Sequence, residues 1–472
     1  MLRLNSVRLA AAGSLALAAV LGFAAALPAA QAVTPAGPVL TAPATSTPHF
    51  PATTATTEVM RQIAQCGSTM YGVGTFTTIK RGSTTYTRNN IFSFSAVSPY
   101  KVTSWDPNVN GTVNSITFSA DCSDAYIGGK FTTVGATTAK NIAEIDTTTG
   151  AVVSAFAHSA SAKVETLLNY NGHIITGGYF TGINGSTADP YLASLNATTG
   201  KDDHFIQLNV SGSYQYPGVT TNTTNIYNQA LSHSGTLDLV MGDFTLAGGQ
   251  PRQQIFMLDL STNPASVTGW TSPQWDGSQG EATPQNPNNG YPYQCATVEP
   301  FYIQAASWSP DDSTIYIATT GYHPNGWPTG GYPRNGLCDV AAAFPSTQTS
   351  VLDDWINYTG CDSLFATAAD SGAAYFGGHE RWSQNPSGCD SPGSNPVPVT
   401  DPGMEGLDPA TGNDLLNSQG NALYTRARGL GADDMLVTSA GLWIASDNYQ
   451  SSQTCNGVQG LAGLCFLPYP AQ

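Results

Sequence analysis

Charged side chains are scarce in this 472-residue chain, and the sharpest group of them is His379-Glu380-Arg381-Trp382, directly after the glycine pair Gly377-Gly378. Asp447 and His323 stand at corresponding points of the two neighbouring segments. A fold that lays these segments side by side therefore aims His, Glu, Arg and Asp at one region. Two carboxylates there could serve as the acid and the nucleophile of glycoside cleavage, and a histidine with carboxylates could hold a metal ion. A Glu380–Arg381 pair that only anchors a loop would use the same residues.

Around this run the sequence supplies aromatics and neutral amides rather than charge: Trp275, Tyr291, Tyr293, Tyr322, Trp327, Tyr332, Trp382, Tyr449 and many Asn. Flat aromatic faces beside neutral hydrogen-bonding groups suit sugar rings, although the same aromatics could simply pack the loops. The expected binding set is Tyr322, His323, Trp327, His379, Glu380, Arg381, Trp382 and Asp447. It predicts a module that recognises an extracellular glycan or protein. The alternative is a polysaccharide hydrolase or lyase with Glu380 and Asp447 as its acids, and the sequence leaves open whether the chain is an enzyme. Gly-x-Ser-x-Gly, His-Glu-x-x-His, phosphate-loop and EF-hand patterns are all missing. No cofactor is called for, and no spacing singles out a set of metal ligands.

Composition narrows the partners. Charged residues are 10% of the chain against 41% hydrophobic, which suits a folded core and excludes charge-solvated disorder. The net charge of −16 repels nucleic acid and anionic membrane surfaces. Residues 1–32 read as a secretory signal: Arg3 and Arg8, an apolar run from Leu9 to Leu27, and Ala30-Gln31-Ala32 before the cut. The mature chain is expected to be extracellular, free of the membrane and monomeric.

What must position the chemistry is a repeat. Glycine-rich strands ending in an aromatic recur as Tyr71-Gly-Val-Gly-Thr-Phe76, Tyr126-Ile-Gly-Gly-Lys-Phe131, Ile175-Thr-Gly-Gly-Tyr-Phe180 and Val240-Met-Gly-Asp-Phe244. Each is followed by an apolar strand closing on a turn such as Ile145-Asp146-Thr-Thr-Thr-Gly150 or Leu407-Asp408-Pro-Ala-Thr-Gly412, then by a lone aromatic such as Phe156, Phe205 or Trp270. The acid can bond turn N–H groups, the glycines allow close backbone approach, and the aromatic plugs one sheet against the next. A period of about 50 residues made of four strands is that of a propeller blade. Seven such units predict an all-β, seven-bladed β-propeller of four-stranded antiparallel blades over residues 58–472. The seventh lacks its last strand, which the Pro/Thr/Ala-rich segment 33–57 would supply, around Val39 to Phe50, closing the ring.

Long insertions fall only on one face of the repeat, at 206–225, 271–300, 321–338, 379–402 and 448–463, so function is expected on that loop-bearing face. Eight cysteines in an exported chain imply disulfides. Their places in the repeat frame pair Cys66 with Cys122, Cys295 with Cys338, Cys361 with Cys389, and Cys455 with Cys465.

The repeat resembles that of secreted actinobacterial seven-bladed propellers of kelch-like or quinoprotein-like type. The likeness rests on Gly-Gly-Lys-Phe131, Ile-Asp146-Thr-Thr-Thr-Gly, Gly-Gly-His379-Glu-Arg-Trp382 and Gly-Leu-Trp443-Ile-Ala-Ser-Asp447. It implies the fold and an extracellular setting, and it leaves activity open because such scaffolds carry many functions. The regular Trp of quinoproteins does not follow each turn here, so no quinone is implied.

Overall fold

The computed structural model describes residues 37–51, 58–213, 223–275, 302–321, 337–426 (except 348, 387, 390 and 395), 431–448 and 454–470. Strands make up its regular structure, with no helix among the described residues. Seven antiparallel meander sheets follow one another along the chain. The first is Val59–Cys66, Thr69–Thr75 and Ile91–Ser95; the second Thr112–Phe118, Asp124–Lys130 and Ile142–Asp146; the third Val164–Tyr170, His173–Gly178 and Leu192–Asn196. The fourth is Asn225–Leu231, Leu237–Asp243, Ile255–Asp259 and Ser266–Val267, and the fifth Ile303–Trp308, Thr314–Thr319, Val340–Pro345 and Trp355–Tyr358. The sixth is Leu364–Ala369, Ala374–Gly378 and Glu405–Leu407, and the seventh Asp434–Thr438, Gly441–Ala445 and Leu464–Pro468.

The opening strand of each sheet lies against those of the sheets before and after it, and the seventh also lies against the first. Buried apolar side chains divide the same way, into clusters each shared by two consecutive sheets. Trp443 and Phe466 of the seventh sheet join Phe92 and Phe94 of the first in one such cluster. The second and third strands of each sheet are thus buried on both faces, as in Asp124–Lys130 and Ile142–Asp146, whereas the opening strands, such as Val59–Cys66, alternate.

The repeated residues do the physical work expected of them. A Cβ on Gly129 would come within 2.1 Å of the Thr112 carbonyl oxygen of its own sheet, and one on Gly128 within 2.4 Å of Val164 in the next. The Asp146 carboxylate accepts the Thr148 and Thr149 N–H groups at 2.9 and 2.6 Å, and Gly150 completes the turn at φ 77°. Asn196 and Asp408 repeat the arrangement. Phe156, Phe205 and Trp270 are buried. The indoles of Trp105, Trp270 and Trp355 each donate to a carbonyl of the following sheet, at 3.0–3.1 Å.

One expectation needs correction. A fourth strand forms a ladder only in the fourth and fifth sheets. In the first, second, third and sixth it shrinks to a single bridge, such as Ile145↔Val152 or Leu407↔Asp414. After that bridge the first three sheets bury an aromatic, Trp105, Phe156 or Phe205, whose large ring adds contact area that the shortened ladder lacks.

Residues 37–51 run antiparallel along the last strand. Leu40 and Ala44 donate to the Pro468 and Phe466 carbonyls at 2.8 and 2.9 Å, and Phe50 donates to Ala462 at 2.9 Å. His49 and Lys80 exchange both backbone bonds, at 2.9 and 2.8 Å. The bridges Cys66–Cys122, Cys361–Cys389 and Cys455–Cys465 are formed. Cys338 is also disulfide-bonded, while its expected partner Cys295 lies outside the described residues. No helix among the described residues is long and apolar enough to cross a membrane.

Candidate functional site

In the first six sheets the pairing of the opening strand with the next slips by one residue at the same place. The extra residue is Arg61, Asn114, Glu165, Tyr227, Gln304 or Phe365. A β-bulge leaves such a residue unpaired and re-aims its side chain. All six line one cavity of about 850 Å³ that the opening strands surround. The bulges sit near the starts of these strands, the end from which the long connections leave.

The cavity wall is polar. Arg61 pairs with Asp433 at 3.2 Å, and the Lys163 ammonium contacts Glu165 and lies 4.2 Å from the Tyr179 ring centre. Asp434 accepts the Ile63 N–H at 2.9 Å, and burial raises its carboxyl to about 7. Amides of Gln62, Asn114, Asn228, Gln229 and Gln304 fill much of the remainder.

The sequence-selected residues separate. His379 is exposed and meets Phe365 edge-on at 4.9 Å, so it stands at the cavity rim. Arg381 grips Asp362 through two bonds of 2.6 and 2.7 Å and lies 4.6 Å from the Trp382 ring centre, the geometry of a loop anchor. Glu380 is wholly buried, with Asp401 and Asp362 as its electrostatic neighbours. Asp447 is buried too, but its charge acts on Arg426 and Asp433. Tyr322, His323 and Trp327 lie outside the described residues, as do Tyr291, Tyr293, Tyr332 and Tyr449. Trp275, expected on the loop-bearing face, is instead a core residue packed on Trp270 and Phe344 at 5.4 and 5.0 Å.

Beneath the 379–402 insertion lies a group that the sequence did not single out. Oxygens of Asp401, Glu405 and Asp414 come within 4.8 Å of one another, and Glu380 borders them. Among the described residues no hydrogen bond of normal geometry satisfies either oxygen of Glu380, Asp401 or Glu405; the Ser383 hydroxyl donates to Asp414 at 2.5 Å, with Gln384 and Asn357 as further polar neighbours of that aspartate. Burial first, and then mutual repulsion, pushes the carboxyls of Glu380, Asp401 and Glu405 well above the usual range. Burial raises Asp414 as well, against the pull of Ser383. A signal was present in the sequence: Glu380 follows Gly377-Gly378 at the position where other repeats carry Phe131 or Phe180.

No protein-family model and no curated protein matches this chain. The functional reading therefore rests on the chain's own geometry. A second acidic group, Asp189 with Asp202 and His204, lies in the third sheet, where His204 Nδ1 sits 3.2 Å from Asp202 and 3.9 Å from Asp189.

Proposed function

We propose that this chain is a secreted seven-bladed β-propeller that binds an extracellular glycan at the loop-side mouth of its central cavity. The blade reading rests on the seven consecutive sheets, the opening strands that touch in sequence from first to seventh and back to first, and the segment 37–51 that hydrogen-bonds along the last edge strand. The extracellular setting rests on the disulfides together with the signal-like residues 1–32. The protein acts as a monomer, without nucleic acid or membrane.

The observation that carries the ligand class is the cavity wall. Its volume of about 850 Å³ lies within the range of small-ligand sites, and its amides, hydroxyls and internally paired charges offer neutral hydrogen bonding next to Tyr227 and Phe365. A polyhydroxylated ring satisfies such groups without bringing a charge. Hydrolysis by Glu380 and Asp447 has less support, because both are buried and their charges act on different neighbours.

The test is binding to wall and plant polysaccharides and their oligosaccharides by calorimetry, with reducing-end release measured on every binder. Binding without release is expected, and Gln304→Ala should weaken it about tenfold by removing a wall hydrogen bond. Failure of the folded protein to bind any glycan sinks this reading, and release abolished by Glu380→Gln would replace it with the hydrolase.

A further inference from the structure

The sixth sheet breaks the chemistry of its neighbours at two equivalent core positions. In the first, second, third and fourth sheets the residue two after the glycine is Phe76, Phe131, Phe180 or Phe244, and all four are buried. The carbonyl of each accepts the N–H of the residue that leads into the third strand, Asn90, Asn141, Tyr191 or Gln254, at 2.9–3.1 Å. In the sixth sheet the Glu380 carbonyl accepts Gly403 N–H at 2.9 Å, so Glu380 holds the phenylalanine position. Two residues further on, the third strands carry Phe92, Ala143, Ala193 and Phe256, all buried, and the sixth carries Glu405. In the first and fourth sheets these two positions form aromatic pairs, Phe76 with Phe92 at 5.8 Å and Phe244 with Phe256 at 5.2 Å. The sixth sheet replaces that pair with two glutamates and adds Asp401 and Asp414 beside them.

Such an exchange has no rationale in packing alone. Three wholly buried carboxyl groups, Glu380, Asp401 and Glu405, stand with half-buried Asp414, and among the described residues no Arg, Lys or His pairs with them. Burying one unpaired carboxylate costs several kcal/mol. A cation removes that cost. The donors are all carboxylate oxygens, without sulfur or imidazole, a set that suits a hard ion; Ca²⁺ takes six to eight oxygens in flexible geometry.

We propose that Glu380, Asp401, Glu405 and Asp414 bind a divalent cation of the calcium class, which neutralises the sixth sheet and ties the 379–402 insertion to the third strand. The ion bridges Glu380 at the start of the insertion, Asp401 at its end, Glu405 in the strand and Asp414 after the following turn. It holds in place the loop that carries His379, Arg381 and Trp382. The site stands independently of the glycan reading, since none of its four acids lines the central cavity.

The experiment uses the full secreted chain, stripped with EDTA and dialysed against Ca²⁺, with bound metal counted by mass spectrometry and thermal unfolding followed with and without the ion. Wild type should retain about one Ca²⁺ per chain. Its melting temperature should rise by about 3 °C at a hundredfold excess over Kd. Glu380→Gln/Glu405→Gln keeps the side-chain shapes but loses charge, so it should fold, bind no Ca²⁺ and show no Ca²⁺-dependent shift. Asp189→Asn, in the third sheet, should still bind. Three results would overturn the proposal: wild type that retains no Ca²⁺, a double glutamine variant that retains it fully, or an ion lost with Asp189→Asn. Preference for Zn²⁺ over Ca²⁺ would overturn the calcium assignment.

Discussion

Phe50→Ala should measurably destabilise a protein in which residue 50 precedes the first sheet. Its ring is 1% exposed, lies 5.5 Å from Phe76, and sits so flat on Gly463 that a Cβ there would be 2.2 Å from it. The backbone around it is fixed by the Ala462 and Lys80 bonds, so the site has little freedom to collapse. Truncating a buried phenylalanine in such a site costs about 3–5 kcal/mol. Unfolding entropy of about 2.1 cal/mol/K per residue over roughly 400 folded residues is about 0.85 kcal/mol/K, so the melting temperature should fall by about 4–6 °C. Calorimetry of the purified protein measures this directly. Leu40→Ala, at a side chain 42% exposed, should stay within about 1 °C. Phe50→Ala with Phe76→Ala should cost less than the two separately, by about 1 kcal/mol of ring contact. Deleting residues 33–57 should cost more than Phe50→Ala, because it also bares the edge at Phe466 and Pro468. A Phe50→Ala variant that melts with wild type would refute the reasoning and remove the segment from the folded unit.

Other perturbations probe other parts of the frame. Cys66→Ser/Cys122→Ser opens a 56-residue separation between the first two sheets. Chain entropy puts its loss at about 4 kcal/mol, read as a lower denaturation midpoint with an m-value that rises as the unfolded chain expands. Gly129→Ala places a Cβ 2.1 Å from backbone that cannot swing aside. It should cost about 2–3 kcal/mol, and calorimetry that finds it neutral would contradict the close-approach account. Burial lifts the Glu144 carboxyl to about 7 from an ordinary 4.5. The folded state therefore holds this proton more tightly than the unfolded one, and its contribution to stability is full below about 4.5 and lost as pH rises through about 7. Glu144→Gln should gain on wild type across that window in melts at stepped pH, and a difference independent of pH would count against it.

Local chemistry was the legible layer of the sequence. Asp146-Thr-Thr-Thr-Gly150 dictates its own turn, Gly128-Gly129 admits backbone where a side chain cannot fit, and Phe156 must find a hydrophobic slot. The cavity was not legible. The bulges that turn Arg61, Asn114 and Glu165 into it come from a one-residue mismatch between paired strands, and no single strand records that mismatch. The acidic group was half legible. Glu380 stood out by type, but Glu405 sits in a strand buried on both faces, where alternation no longer separates core from solvent. Asp401 and Asp414 reach it only through an insertion and a turn.

The third sheet shows why the sixth needs more than its protein donors. Asp202 bridges Leu195 as Asp414 bridges Leu407, and Ser186 and Ser383 each donate a hydroxyl to that aspartate at 2.5 Å. Asp189 stands two residues before Tyr191 as Asp401 stands two before Gly403, so both sheets carry the same aspartate pair. In the third sheet Phe180 and Ala193 complete the site, and exposed His204 stands beside both acids in contact with solvent. There two acids share one hydroxyl and stand beside one imidazole that is open to solvent. With Glu380 and Glu405 in place of the apolar residues and no imidazole among the described neighbours, the sixth sheet gathers twice as many carboxyl groups, three of them wholly buried. Protons neutralise such a group and let Asp401 and Asp414 share a hydrogen bond; a cation supplies charge and coordination to the whole group together. The two sheets are thus an internal control: one framework and one aspartate pair, with the requirement for an ion set by two substitutions.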